Sequence, residues 1–391
     1  MDKIEIGFFG KTNSGKSSLM NKLLNQNYSL TSPVSGTTTD PVRKAMEFIP
    51  IGPVVFTDTA GLNDNTELGL LRVEKTLEVL LKIDLAIYVM DINDLDHKVY
   101  NETLLQFKKY NIPHILVINK IDTMNSKEIQ HIKESFNNGI FISCIENEGI
   151  EILKNSIINI VKETMEDNES IIGNVVPYNS NVIMVVPIDS EAPKGRLILP
   201  QVQLIRDCLD HGIKSLVVRD TELKNAIEDI KKVDLIVTDS QCFKKVDSII
   251  SKNIKLTSFS ILLANQKGDL KEYLKGIEAI NSLNENSKIL ICESCTHNTS
   301  HEDIGTVKIP KMLCKKVGKS LNFQFSMGKD FPKNIQDYDL VIHCGGCMTN
   351  KRLMKNKINI CKNNNVPITN YGMVIAYLTG ILERTVEIFK K

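Results

Sequence analysis

Gly10-Lys11-Thr12-Asn13-Ser14-Gly15-Lys16-Ser17 lies between a β-type apolar run, Ile4 to Phe9, and a segment of helical period. A glycine-rich turn in that position leaves backbone N–H groups open at a helix start, where they cradle phosphates. Lys16 then reaches the β and γ oxygens and Ser17 offers a hydroxyl to Mg²⁺, with Ser14 and Ser18 flanking. Outward from this loop, short β-type runs at Val54–Thr57, Leu85–Met90, His114–Ile118 and Ile140–Ser143 alternate with helical segments as far as about Lys162. That alternation predicts a doubly wound α/β domain. The acidic stretch Thr164 to Ser170 breaks the pattern and reads as an exit linker.

Two further motifs follow strands of this domain. Asp58-Thr59-Ala60-Gly61 and Asn119-Lys120-Ile121-Asp122 complete a nucleotide-site constellation with the phosphate loop. The Asp122 carboxylate can accept from guanine N1–H and the exocyclic amine together, a pairing adenine does not offer, so GTP is expected over ATP. Asn119 and Lys120 brace that loop. Ser143-Cys144 occupies the place of the last guanine motif, with a strand end and a buried Cys as the alternative. Gly36-Thr37-Thr38-Thr39-Asp40 reads as the first switch, with Thr38 chosen as the Mg²⁺ ligand that senses the γ-phosphate. Lys16, Thr38 and Asp58 form the expected catalytic set.

These residues resemble the translation-factor-related GTPases of the TrmE/Era type. The resemblance covers the N-terminal domain. Leu62 follows Gly61, where many small GTPases carry a water-orienting glutamine, so slow hydrolysis is expected. Asn13 matches the asparagine that in TrmE-like members helps to hold K⁺ beside the phosphates, where the cation supplies charge otherwise given by an arginine finger. The alternative is that Asn13 hydrogen-bonds its own loop.

Composition narrows the function classes. The 391 residues suffice for two or three domains, and 42% hydrophobic with 24% charged residues is ordinary globular usage. Lys and Arg number 48 against 47 Asp and Glu, so no global positive field exists to hold a nucleic-acid backbone, and no nucleic-acid partner is expected. Apolar runs such as Val182–Ile188 are far too short to span a bilayer, which needs about 18 residues or more. With the phosphate loop starting at Gly10, no signal peptide is expected ahead of it, and a cytoplasmic protein with reduced thiols is anticipated. Cys144, Cys208, Cys242, Cys314 and Cys361 lie among apolar neighbours and read as small core residues.

Two smaller alternating units follow the first domain. The second has strands near Val182–Ile188, Ser215–Val218 and Leu235–Thr238, with helices at Pro200–Leu209 and Glu222–Lys231. The third starts near Lys255, with strands at Ile289–Cys292, Phe323–Ser326, Leu340–His343 and Pro367–Thr369. Cys295-Thr296-His297 and His343-Cys344-Gly345-Gly346-Cys347 both fall at carboxyl ends of these strands, where open α/β sheets place ligands. Thiolates select zinc, Cu(I) or iron-sulfur clusters over Mg²⁺ or Ca²⁺. A zinc reading uses Cys292-x-x-Cys295 with Cys344-x-x-Cys347, although the interval between the pairs exceeds the roughly 15–20 residues of such ribbons. Three thiolates with a labile His297 or His343 suit an iron-sulfur cluster instead, and either His also fits a role behind the ligands.

The combination of Cys295-Thr-His297, Asp303-Ile-Gly305, Lys308-Ile-Pro310 and His343-Cys-Gly-Gly-Cys347 resembles HydF, the GTPase family that matures [FeFe]-hydrogenases. The segment from Asp189 to Gln201 and Ile368-Thr-Asn-Tyr-Gly372 are similar to that family too, so the resemblance spans the chain. It implies an N-terminal P-loop GTPase domain (1–168), a dimerisation domain (176–258) and an iron-sulfur domain (262–391). It further implies a [4Fe-4S] cluster on Cys295, Cys344 and Cys347, a homodimer, and a transient di-iron precursor. The partners it implies are the radical-SAM maturases HydE and HydG and apo-[FeFe]-hydrogenase. Cys292 lies outside the family pattern, and the interval between the two motifs is slightly short, which leaves the fourth ligand open. Asp189, Glu191, Lys194 and Arg196 read either as a solvated turn or as part of an interface or cluster mouth. The competing reading is a TrmE/Era-like GTPase of tRNA modification or ribosome assembly with structural zinc.

Overall fold

The structure is a computed structural model that describes residues 3–24, 42–59, 79–166, 170–188, 195, 197–294, 303–327, 331–332, 334–347 and 349–390. Two compact units divide the chain, Met1–Asn168 and Glu169–Lys391.

The first unit carries strands β1 (Ile4–Phe9), β2 (Val42–Phe48), β3 (Gly52–Asp58), β4 (Leu85–Asp91), β5 (His114–Asn119) and β6 (Ile140–Phe141). Its described helices are α1 (Lys16–Leu24), α2 (His97–Lys109), α3 (Ser126–Ser135) and α4 (Ile150–Glu166). The sheet order is β2-β3-β1-β4-β5-β6, parallel except for β2, which runs antiparallel to β3. Strand β4 shows why its sequence is an unbroken apolar run. Leu85, Ile87 and Val89 pack into one core, whereas Ala86, Tyr88 and Met90 pack into another on the opposite face. The strand of this sheet that periodicity failed to signal is β2, whose Val-Arg-Lys-Ala-Met-Glu-Phe run buries only Met46 and Phe48 at the sheet edge.

The second unit adds two all-parallel four-stranded sheets. The first contains β7 (Asn181–Val185), β8 (Lys214–Val218), β9 (Leu235–Thr238) and β10 (Lys255–Ser258), ordered β10-β9-β7-β8, with helices α5 (Leu199–Asp210), α6 (Leu223–Asp229) and α7 (Phe243–Ile249). Helices α8 (Phe259–Lys267) and α9 (Leu270–Ala279) lead into the second sheet. That sheet contains β11 (Lys288–Glu293), β12 (Asn322–Met327), β13 (Leu340–His343) and β14 (Ile368–Asn370), ordered β12-β11-β13-β14, with helices α10 (Ile309–Val317), α11 (Lys351–Asn363), α12 (Tyr371–Leu378) and α13 (Leu382–Val386). The alternating pattern reads a third unit from near Lys255, whereas the family resemblance implies a second domain that runs to residue 258; Lys255–Ser258 pairs with β9 and completes the preceding sheet, because Leu256 and Thr257 are buried in register with Ile236 and Val237.

The two sheets share one apolar core, in which Ile183, Val185 and Ile236 of one join Ile289, Ile291 and Ile342 of the other. A polar clasp reinforces it. The mostly buried Arg384 of α13 donates to the Asp247 carboxylate and to the carbonyls of Ser251, at 2.7 Å, and Ile254, at 2.8 Å. Burial alone would raise the Asp247 pKa, but Lys252 and Arg384 outweigh it and hold the carboxyl below its usual value. Arg384→Ala is expected to lower the stability of the second unit by about 2 kcal/mol, since it strips a charged donor from three acceptors. A lower urea midpoint for that unit, with an unchanged transition for the first, is the measurement that checks this.

Candidate nucleotide site and cysteine-lined cavity

In the first unit the phosphate loop leaves β1 where the chain order reverses across the sheet, the place where such folds bind ligands. Gly10 and Gly15 take φ values of +136° and +93°, and a Cβ at either would lie 2.1 Å from Val89 O or 2.2 Å from Asn119 Nδ2. Only glycine meets both demands. Asn119 Nδ2 also donates to Ser14 O at 3.1 Å, tying the guanine-type motif to the phosphate loop. Lys16, only 8% exposed, donates from Nζ to Gly10 O at 3.0 Å and Lys11 O at 2.7 Å. Burial lowers its pKa, against the pull of Asp58.

Ser17 Oγ donates to one oxygen of Asp58. The other, Asp58 Oδ1, is buried without a hydrogen-bond partner among the described residues, as are Ser14 Oγ and Asn119 Oδ1. Buried polar atoms are normally satisfied, so three such atoms around one loop mark a cradle shaped for a polar ligand. Lys11 is fastened outside it by Asp94 and Asp96, at 3.0 and 2.9 Å.

At the base end, Lys120 has φ +66° and its Nζ lies 2.6 Å from Asp91 Oδ2. Burial would raise the Asp91 pKa, yet hydrogen bonds from Lys120 and Asn93 hold it low. The fully buried Ser143 donates its hydroxyl to Asp122 and accepts from Glu146 N at 3.0 Å, so the Ser143-Cys144 segment does meet the guanine-type aspartate. Burial pushes the Cys144 thiol up to about 11, a packing residue by its chemistry. Asn13 is exposed, with φ +64°. Thr38, Gly61 and Leu62 lie outside the described residues.

In the second unit, β11 and β13 are neighbours at the chain reversal of their sheet, with Cys292 opposite His343. Cys344 N donates to Cys292 O at 2.8 Å, and Ser294 N donates to Cys344 Sγ at 3.2 Å. Cys344 and Cys347 both line a cavity of about 340 Å³, together with Glu293, Asp303, Ser260 and Tyr371. Its lining comes from the carboxyl ends of strands in both sheets, with Leu197–Pro200 and Asp239–Gln241 completing it. Tyr371 OH donates to Glu293 Oε1 at 3.0 Å, while Asp303 Oδ1 accepts from Thr306 N at 2.6 Å. Burial and the adjacent Glu293 raise the Tyr371 pKa, keeping its proton in place as a donor.

Cys292 does not join this set. Its side chain is 2% exposed in the apolar core, and burial pushes its thiol up to about 12. His343 is wholly buried, and both ring nitrogens are engaged. Nδ1 donates to Cys344 O at 2.8 Å, and Nε2 meets Ser294 Oγ at 3.0 Å and Lys357 Nζ at 3.1 Å. The ring is a brace behind Cys344 in this arrangement. Cys295 and His297 lie outside the described residues, as do Asp189, Glu191, Lys194 and Arg196. Among the described residues no three His, Cys, Asp or Glu side chains form a metal-holding group.

Family models match nearly the whole chain. Residues 171–268 match the hydrogen maturase F dimerization domain and residues 271–388 the hydrogen maturase F tetramerization domain. The chain belongs to the hydrogen maturase F (HydF) family. Ahead of the two HydF segments, residues 5–120 match a 50S ribosome-binding GTPase model, which makes the first unit a GTPase domain. The tRNA modification GTPase MnmE of Mesoplasma florum is 36% identical over 176 residues, covering 44% of this chain and 36% of the relative. The GTPase Era of a Thermoanaerobacter species is 30% identical over 165 residues, covering 40% of this chain and 54% of that protein. The chain thus spans well under two thirds of either relative. An Era variant of Aquifex aeolicus, crystallised with GDP and AlF4⁻, is 27% identical over 41% of this chain and 57% of that one, with a TM-score of 0.34. No described helix is long and apolar enough to cross a membrane.

Several site residues carry no sequence motif, namely Asp91, Ser294, Glu293 and Lys357. Lys357 alone left a trace. It falls on the helical stripe Leu353, Met354, Lys357, Ile358, Cys361, a lysine at a core position.

Gly10→Ala should weaken nucleotide binding at least tenfold, about 1.4 kcal/mol, because the new Cβ must displace the β4 backbone beneath the loop. Competition against a fluorescent guanine nucleotide, with circular dichroism as the folding control, measures it.

Proposed function

We propose that this chain is a GTP-hydrolysing scaffold that carries a [4Fe-4S] cluster and a di-iron precursor and delivers the precursor to apo-[FeFe]-hydrogenase. The observation that carries the reading is the pair Cys344 and Cys347 on one cavity wall, beside the end of β11 from which Cys295 follows within two residues. The donor set fits the cluster. Two partly exposed thiols reach the same cavity, a backbone N–H already points at one sulfur, and soft sulfur ligands suit iron. Cys344 and Cys347 would hold the cluster together with Cys295. When bound, the cluster supplies an anchor for a metal fragment at whichever position the three thiolates leave to a weaker ligand.

The chain's own residues do the rest. Gly10 to Ser18 hold the nucleotide phosphates, Ser17 with Thr38 binds Mg²⁺, and Asp122 selects guanine under the constraint of Ser143. Asn13 helps to bind K⁺. The switch residues around Thr38 and Gly61 alter partner affinity between nucleotide states. Segment 176–258 dimerises, segment 262–391 holds the cluster, and the tetramerization description of the matched model extends the assembly beyond a dimer. HydE and HydG load the precursor in the cytoplasm, without nucleic acid or membrane.

GTP hydrolysis should be slow and Mg²⁺-dependent, faster in KCl than in NaCl at matched ionic strength, and absent in Lys16→Ala. Equal rates in the two salts would remove Asn13 as a cation ligand and leave the GTPase intact.

Protein co-expressed with HydE and HydG should activate apo-hydrogenase in vitro, and the same chain expressed alone should not. Cys295→Ser, Cys344→Ser and Cys347→Ser should each lose bound iron and activation, whereas Cys292→Ala should keep both, because its side chain faces the core. Bound zinc without sulfide, with Cys292 as essential as the others, would favour the zinc-containing RNA-associated GTPase instead.

A further inference from the structure

We propose that Asp91 is a positioning residue for guanine recognition, acting through Lys120, and that Asn93 and Thr123 close the hydrogen-bonded ring that holds this lysine. The inference rests on the reading of Asn119 to Asp122 as the base loop.

Asp91 ends β4 and Asn119 ends β5, and the two are register partners where these parallel strands finish. The chain stays paired just beyond them, with Ile92 N donating to Asn119 O at 3.0 Å. Lys120 follows with φ +66°, a left-handed conformation that is costly for a residue with a Cβ and persists where the surroundings fix it. Those surroundings form a closed circuit. Lys120 Nζ donates to Asp91 Oδ2 at 2.6 Å. Asp91 Oδ1 accepts from Asn93 Nδ2 at 3.0 Å, and the same amide nitrogen donates to Thr123 Oγ1 at 2.9 Å. The Thr123 hydroxyl in turn donates to Lys120 O at 2.8 Å.

The circuit has one consistent set of proton positions. An ammonium only donates, an ionised carboxylate only accepts, a side-chain amide nitrogen has two hydrogens to give, and a hydroxyl accepts and donates at once. Burial would raise the Asp91 pKa, but Lys120 and Asn93 outweigh it, so the ionised carboxylate is the form that the ring holds. Both carboxylate oxygens are committed to protein donors, since Asn93 N also donates to Oδ1 at 2.9 Å. Asp91 therefore acts by placing Lys120.

The ring grips Lys120 at its ammonium and at its carbonyl, so side chain and backbone are fixed together. The far end of the base loop is held independently, where the Ser143 hydroxyl donates to Asp122. Since β5 lies between β4 and β6, the loop that leaves β5 is clamped from both sides, by the chain after β4 and the chain after β6. A nucleotide meets a loop already in its binding shape, and less binding energy goes into ordering it. GTP and GDP carry the same base, so losing the clamp weakens both alike and leaves the step at the γ-phosphate unaltered.

The test uses the full chain, with steady-state GTP hydrolysis and displacement of a fluorescent guanine nucleotide by GDP. GDP binding is read directly, and KM for GTP follows binding where hydrolysis is slower than release. Asp91→Asn keeps the size but sets an NH₂ against either the Lys120 ammonium or the Asn93 donors. It should raise KM and the GDP dissociation constant together, by about tenfold, with kcat within about twofold of wild type. Thr123 is exposed, so Thr123→Val should cost less, about threefold in both, while Thr123→Ser keeps the hydroxyl and should bind as the wild type does. Unchanged binding in Asp91→Asn would overturn the proposal, as would a loss confined to kcat or an equal loss in Thr123→Ser and Thr123→Val. If circular dichroism shows Asp91→Asn unfolded, the Thr123 pair decides. Wild-type protein that hydrolyses ATP as readily as GTP would defeat the base-loop reading itself, a result distinct from any change confined to the variants.

Discussion

The register between β11 and β13 is the constraint on which the C-terminal site depends. Cys292 stands opposite His343, and the next backbone donor, Cys344 N, closes on Cys292 O at 2.8 Å. Alternation along a strand then decides three fates at once. Cys292 enters the core, His343 is buried behind the loop, and Cys344 emerges at the strand end facing the cavity. A slip of one residue would bring Cys344 to the face that His343 now occupies, behind the loop and away from the cavity. The chemistry of a cysteine in this protein is therefore set by its position on a strand.

Both units share the same topological feature with different lining chemistry. A parallel sheet whose order reverses leaves a crevice at the carboxyl ends of two neighbouring strands. In the first unit a glycine-rich turn at that crevice presents backbone donors, leaves three buried polar atoms without partners among the described residues, and keeps Lys16 turned onto its own loop carbonyls. In the second unit the crevice presents sulfur. A second sheet packed through a common core contributes to the same cavity, so Ser240, Ser260 and Phe259 line it together with Cys344, Cys347 and Tyr371. Family membership and the GTPase match give these two crevices their biological setting.

Polar order in the second unit is built in layers. Ser240, Ser258 and Ser260 form a triangle of hydroxyls with separations of 3.0, 2.9 and 3.2 Å, and Asn370 both caps α12 and donates to Ser260 O. These contacts lock the ends of β10 and β14 against each other, so the cavity walls are set by buried hydrogen bonds from distant parts of the chain. Hydrogen-bonded walls of this kind set the positions of the lining side chains in advance, which lowers the ordering cost of binding a ligand there.

The sequence by itself marked the phosphate loop, Asp58 and Asn119 to Asp122, local motifs whose spacing follows from strand–turn–helix geometry, and the fold brings these segments together at one end of the sheet. It also marked the strands of all three sheets apart from β2, whose charged edge hides its alternation, and β10, whose four residues show no period and read only as the place where a further unit begins. The pair Cys344 and Cys347 was legible as a ligand motif. Tertiary structure alone decided that Cys292 is a core residue, that His343 spends both nitrogens on protein partners, that Ser143 restrains Asp122, and that Lys357 and Ser294 converge on Cys344. These are facts of register and of packing between elements far apart in the chain, and a linear pattern carries no record of which face a neighbouring strand or helix will cover.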